Sequence, residues 1–173
     1  MRALIEYVRD QLDPKAATTA NHLMTNITIR PAKPEDAAAI ARAFTPARAA
    51  MPGVPVIHTA DEDLWFITNK MLPECSVVVA EADDIITGVA AYTETRLEQL
   101  YVDPAHHRKG IGLALLTHAM RERPDGLELW VFQSNAPARA LYESQGFRCV
   151  ELTDGQSNEE KCPDARYSWP GNL

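Results

Sequence analysis

Apolar residues recur at three- and four-residue spacing in the first dozen positions, at Leu4, Ile5, Val8 and Leu12, until Asp13-Pro14 breaks the pattern and the polar stretch AATTANH follows. That spacing predicts an amphipathic helix and then a linker. Met24 opens a different kind of segment, so the chain divides into an extension over 1–23 and a domain over 24–173. Residues 27–30 read as a short strand. Pro34, Glu35 and Asp36 then open a helix with Ala37, Ile40, Ala41 and Phe44 along one face, proline fitting the first turn and the acids its positive end. Pro46, Pro52, Gly53 and Pro55 predict a loop over 45–60. A second helix is expected over 61–72, stopped by Pro73, with Leu64, Trp65, Ile67 and Met71 turned inward.

The apolar runs 76–81 and 85–93 flank Asp83-Asp84 and predict a hairpin, and 97–102 is a third strand. A helix is expected over 112–122, broken by Pro124-Asp125-Gly126. Strand 127–132, helix 136–145 with Gly146 at its end, strand 147–153 and a last strand at 165–169 complete the chain. Strands and helices in this order imply a mixed α/β sheet.

A length of 173 residues, 46% hydrophobic and 24% charged, suits one globular domain with a short appendage. Seventeen basic against 24 acidic residues leave a net charge of −7, which argues against whole-molecule attraction to nucleic acid or an anionic membrane. A cationic small substrate is compatible with it. No apolar run is long enough to span a membrane, and Glu6, Arg9 and Asp10 interrupt the place where a secretory signal needs an apolar core. Cys75, Cys149 and Cys162 are too far apart for a zinc knuckle or a disulfide framework. The expectation is a cytoplasmic protein without a metal.

The stretch LEQLYVDPAHHRKGIGLALL, residues 97–116, carries the most chemistry. A strand, a break at Pro104, a basic cluster and Gly110-x-Gly112 opening a helix expose backbone N–H groups where the helix dipole favours an anion. His107, Arg108 and Lys109 can add positive charge, although such a patch reads equally as solvated surface. The dinucleotide fingerprint would need glycine at 115, where Leu115 stands, and a GxxxxGK[ST] loop is absent.

The order strand, Pro104, basic residues, Gly110-Ile111-Gly112 and helix resembles the acetyl-CoA pyrophosphate loop of GNAT N-acetyltransferases, whose pattern is Arg/Gln-x-x-Gly-x-Gly/Ala. His107 departs from it, standing where arginine or glutamine is usual. Downstream, LELWVF, then Asn135, then ARALYESQGF resembles the second half of the same family. The resemblance covers about residues 25–153. It implies an α/β GNAT fold: a central mixed, mostly antiparallel twisted sheet with its fourth and fifth strands splayed, flanked by about four helices. It also implies acetyl-CoA as co-substrate. Main chain at Leu100, Tyr101 and Val102 would then meet the thioester arm, residues His107, Arg108, Lys109, Gly110, Ile111, Gly112 and Leu113 would hold the pyrophosphate, and Asn135 and Ala138 would lie along the cofactor. Asn135 reads equally well as a plain helix N-cap, and both roles can hold together.

Acetyl transfer to an amine needs a neutral nucleophile, yet a lysine-like amine is neutral in only about one part in 2,500 at pH 7. A general base helps by about 10²- to 10⁴-fold. Glu98, which in strict alternation shares a face with Leu100 and Val102, is the first candidate; a solvated edge carboxylate is the plainer reading. Tyr142 matches the position at which the family often places a general acid near the CoA sulfur, and alternatively packs with Leu141 and Phe147. The resemblance makes the loop over 45–60 and the helix that follows it, with His58 and Trp65, a wall of the acceptor site, with His58 a second candidate base. Glu159, Glu160 and Asp164 in the tail fit either a cationic acceptor or a solvated charge run. The expected function is direct acetyl transfer from acetyl-CoA to an amine of a small molecule or peptide, with a non-catalytic acyl-CoA-binding sensor as the alternative. A homodimer is compatible with the resemblance.

Overall fold

The structure, a computed structural model, describes residues 27–171. The helix and linker expected over 1–23 lie outside the described residues. Strand β1 (Thr28–Pro31) leads through a 3₁₀ turn at Pro34–Asp36 into helix α1 (Ala37–Ala49). Arg30 fastens this entry, donating to Asp36 at 2.7 and 3.1 Å and to Glu81 of the neighbouring strand at 2.6 Å. Its guanidinium holds the Asp36 carboxyl below the usual carboxylate range.

Helix α1 runs on to Ala49, through Pro46, where the sequence suggested a loop from residue 45. Pro46 is exposed, so its missing N–H costs the helix one bond on the solvent side, while Ala43, Phe44 and Ala47 remain buried. The second helix, α2 (Ala60–Phe66), starts at a capping box in which Thr59 and Glu62 exchange bonds at 2.7 and 3.3 Å. It continues through a π turn at Ile67–Met71 and a last turn at Leu72–Glu74. Ile67 and Met71 turn inward as expected, but Asp63 joins them in place of Leu64 and Trp65, which are 36% and 58% exposed. Asp63 can turn inward because Arg48 of α1 meets its carboxylate at 2.6 Å.

Strands β2 (Ser76–Ala82), β3 (Ile85–Tyr92) and β4 (Leu97–Val102) follow β1 in an antiparallel four-stranded sheet of order β1-β2-β3-β4. Asp83 and Asp84 both take positive φ, 51° and 61°, as a two-residue hairpin turn matching strand twist requires. Beyond a 3₁₀ turn at Pro104–His106, helix α3 (Ile111–Glu122) packs on one face of the sheet and α1 and α2 on the other, so β2 and β3 are apolar on both sides. Gly88 is needed for this: a Cβ there would come within 3.0 Å of Ile111, Leu115 and the Tyr101 carbonyl.

Strand β5 (Leu127–Phe132), helix α4 (Ala136–Ser144), β6 (Arg148–Leu152) and β7 (Asp164–Trp169) form the second half, a three-stranded antiparallel sheet of order β5-β7-β6. The two sheets touch through a parallel bridge between Arg96 and Glu128, backed by a bond from Glu128 N–H to the Thr95 carbonyl at 2.9 Å. Beyond that bridge β4 and β5 share no ladder among the described residues, and they splay as the resemblance implies. No helix among the described residues is long and apolar enough to cross a membrane.

Candidate active site

A cavity of about 580 Å³ opens at the splay. It is lined by β4 from Leu97 to Val102, by the loop and first turn of α3, by Leu129 to Phe132 of β5, by Asn135 with Ala138, Leu141 and Tyr142 of α4, and by Ala47 of α1 with Ala50, Met51 and Pro52 beyond it. Of the residues singled out from sequence, Glu98, Leu100, Tyr101, Val102, His107, Arg108, Gly110, Ile111, Gly112, Leu113, Asn135, Ala138 and Tyr142 meet here. Lys109, His58 and Trp65 do not line it. His58 instead faces Glu159, 3.2 Å away, and Trp65 is exposed on α2.

The loop turns on backbone conformation. Arg108 and Gly110 take φ of 66° and 81°, which aims the amides from Arg108 to Leu113 outward; among the described residues none of them donates within the chain. A Cβ built on Gly110 would meet nothing within 4 Å, so the space above these amides is open, and at Gly112 it would make only ordinary contact with Leu141 and Val102. Open donors at a helix N-terminus beside Arg108 suit a pyrophosphate. His107 does something the motif did not suggest: its Nε2–H donates to the Val102 carbonyl at 2.9 Å and closes the loop onto the end of β4.

Strict alternation fails at Glu98. Ala91 pairs with Gln99 and Tyr92 with Leu97, so Glu98 is the extra residue of a β-bulge. Leu97, Leu100 and Val102 join the core under α3, while Tyr101 packs on Phe44 of α1 with ring centroids 4.6 Å apart. The bulge frees the Glu98 carboxylate from both cores, and its ion pair with Arg96 is long, at 3.8 Å. Burial raises the Tyr101 hydroxyl to about 12, with Arg48 opposing the shift and Glu160 and Asp63 adding to it.

Tyr142 is placed by its neighbours. Arg139 donates to the Tyr167 hydroxyl at 2.9 Å and Tyr167 donates to Glu143 at 2.7 Å, clamping α4 against β7. The Tyr142 ring then lies 5.8 Å from Phe147 and 6.5 Å from Tyr167. Burial, and secondarily Tyr101, holds its hydroxyl well above the ordinary phenol range. Among the described residues no hydrogen bond engages that hydroxyl. Asn135 caps α4, accepting from Ala138 N–H at 3.2 Å.

The opposite wall includes Ala47, Ala50, Met51 and Pro52, from the 45–60 segment that the resemblance made a wall of the acceptor site, although Ala47 stands in α1 and not in a loop. Sequence reasoning missed Trp130, 42% exposed, which lines the cavity from β5. The alternation in LELWVF holds the clue: Leu127, Leu129 and Val131 belong to the core, which leaves Trp130 and Phe132 on the other face. Among the described residues no three His, Cys, Asp or Glu side chains are grouped to hold a metal.

Residues 73–149 match the family model described as an acetyltransferase (GNAT) domain. The chain is 36% identical over 93 residues to the peptidyl-lysine N-acetyltransferase YiaC of Escherichia coli, a match spanning 53% of this chain and 62% of that one, less than two thirds of the relative's length. It is 30% identical over 137 residues to the L-methionine sulfoximine/L-methionine sulfone acetyltransferase of Salmonella typhimurium, covering 70% of this chain and 80% of the relative. The solved structure of yncA from Salmonella typhimurium, which holds acetyl-CoA as its cofactor, superposes with a TM-score of 0.68 at 23% identity over 86% of this chain and 95% of that one.

Proposed function

The chain belongs to the GNAT family of acetyltransferases, and from that premise we propose that it transfers the acetyl group of acetyl-CoA directly to an amine of a small molecule or peptide. One juxtaposition carries the reading: a loop of unused amides, Glu98 and Tyr142 line a single cavity where β4 and β5 part. The amides from Arg108 to Leu113 bind the pyrophosphate, and the splayed edge of β4 receives the pantetheine arm. Bound acetyl-CoA supplies a thioester whose carbonyl carbon is open to an amine.

Glu98 takes a proton from the incoming ammonium, so that its nitrogen carries a free pair toward that carbon. As the C–N bond forms and the C–S bond breaks, Tyr142 donates a hydrogen bond to the departing sulfur. Full proton donation by Tyr142 is the weaker option, because a thiol ordinarily titrates near 8.5 and burial has moved this phenol in the opposite direction. Of the two protons that the ammonium gives up, one leaves through Glu98 to solvent and the other ends on the thiolate. Three free cysteines fit a reducing, cytoplasmic setting. The test is thiol release from acetyl-CoA that depends on added amine and yields the N-acetyl product. Binding of acetyl-CoA with no release across amines of several classes would favour a sensor instead.

A further inference from the structure

The acceptor side of the cavity has a chemistry of its own. Ala47, Ala50, Met51, Pro52 and Trp130 make it apolar. Trp130, Val131 and Phe132 are shared with an adjoining cavity of about 420 Å³, whose remaining lining is Thr153, Ser157, Asn158, Glu160 and Asp164. Its ionisable side chains are therefore both carboxylates. Among the described residues that line the two cavities, Arg108 of the pyrophosphate loop is the one arginine or lysine. Arg48, which approaches Glu160 at 3.7 Å, is already bound to buried Asp63 at 2.6 Å.

Resting on the reading above, we propose that the acceptor is a diamine. Its reacting ammonium meets Glu98, its unbranched carbon chain lies along Trp130, and its second ammonium reaches Glu160 and Asp164. Asp164 has room for it, while Glu160 meets Arg48 only at a long 3.7 Å. Asp164 accepts from the Thr153 hydroxyl on one oxygen and from Asn158 at 3.0 Å on the other, and each carboxylate oxygen has a second lone pair to offer. The face of Trp130 attracts a cation passing it. A free amino acid would bring its own carboxylate against these two, where the one nearby guanidinium, Arg48, is already shared between Asp63 and Glu160, and like charges juxtaposed at a binding surface are strongly disfavoured.

The experiment compares three amines in the thiol-release assay: cadaverine; lysine, which is cadaverine with one added carboxylate; and pentylamine, which lacks the second amine. Cadaverine is expected to exceed both others in kcat/KM by at least about tenfold, a ratio set by one lost charge interaction. In Glu160→Gln the cadaverine-to-pentylamine ratio falls toward one, through KM; Trp130→Ala, a second variant that leaves the Asp164 network in place, raises KM for both amines, which lay the same carbon chain on the ring. Lysine turned over as well as cadaverine, or a ratio unchanged in Glu160→Gln, overturns the diamine proposal and leaves the acetyltransferase reading intact. So does turnover of other amines with none of these three. If no amine of any class is acetylated, both fall.

Discussion

The two sides of the cavity are built by different means. On the side proposed for the cofactor the available groups are backbone amides between Arg108 and Leu113, aimed by two positive-φ residues and one histidine–carbonyl bond, all within the dozen residues from 102 to 113. On the acceptor side the wall comes from side chains that are far apart in sequence, Met51, Trp130 and Glu160 among them, with Glu160 tied through Arg48 to buried Asp63. A backbone site tolerates most side-chain changes and fails only when the loop is blocked. A side-chain site changes its preference with single substitutions and depends on distant packing to stay assembled.

The sharpest separation comes at Glu98, which lies between the two sides. Glu98→Gln should lower kcat at pH 7 by about 10²- to 10⁴-fold, the range of general base catalysis, while calorimetric affinity for acetyl-CoA stays as it was. A fall in affinity with little change in kcat would move Glu98 to the cofactor side. Tyr142→Phe comes next. A hydrogen bond to a developing thiolate is worth roughly 10- to 100-fold in kcat, and its loss should be the same at pH 7 and pH 9.

Tyr142 also makes a stability prediction with a definite sign. Burial raises its pKa in the folded state, so the native protein keeps a proton that the unfolded chain loses near pH 10. Its contribution is whole below pH 10 and is lost as pH rises beyond. Chemical denaturation across pH 9 to 11 should show a shallower decline for Tyr142→Phe than for the native protein; parallel curves would contradict the burial.

On the acceptor side, Asp63→Ala strips a nearly buried carboxylate, 3% exposed, from Arg48 and should cost about 3 kcal/mol in denaturant unfolding, as breaking one partner of a buried pair does. Because Arg48 is then free to neutralise Glu160, KM for the amine should rise in the same variant while affinity for acetyl-CoA stays put. A loss of acetyl-CoA affinity instead would mean that the two sides are not independent.

The same contrast explains what the sequence could tell. The loop was legible because its backbone conformation follows from contiguous residues: Pro104, Gly110 and Gly112 fix it locally, and Asn135 caps the helix it precedes. The splay followed from the resemblance. Glu98 was found for a reason that proved incomplete, since the bulge opposite Ala91 and Tyr92 arises from pairing between strands and leaves no mark in LEQLYV itself. The inward face of α2 was misplaced because periodicity favours Leu64 over Asp63, and only a partner fifteen residues away makes the aspartate the better choice. His107 showed its charge in the sequence, but its bond to Val102 depends on the turn between them.

Calorimetric titration of acetyl-CoA into the native protein, Gly110→Ala and Gly110→Glu shows whether the loop amides hold the pyrophosphate. At φ 81° either side chain strains the backbone, by about 1 kcal/mol, without a steric clash. The expected result is binding to the native protein, a modest loss in Gly110→Ala, and a further loss of about 100-fold or more in Gly110→Glu, where a carboxylate stands over the amides proposed for the pyrophosphate. Equal affinity in the alanine and glutamate variants, or no binding to the folded native protein, would contradict it.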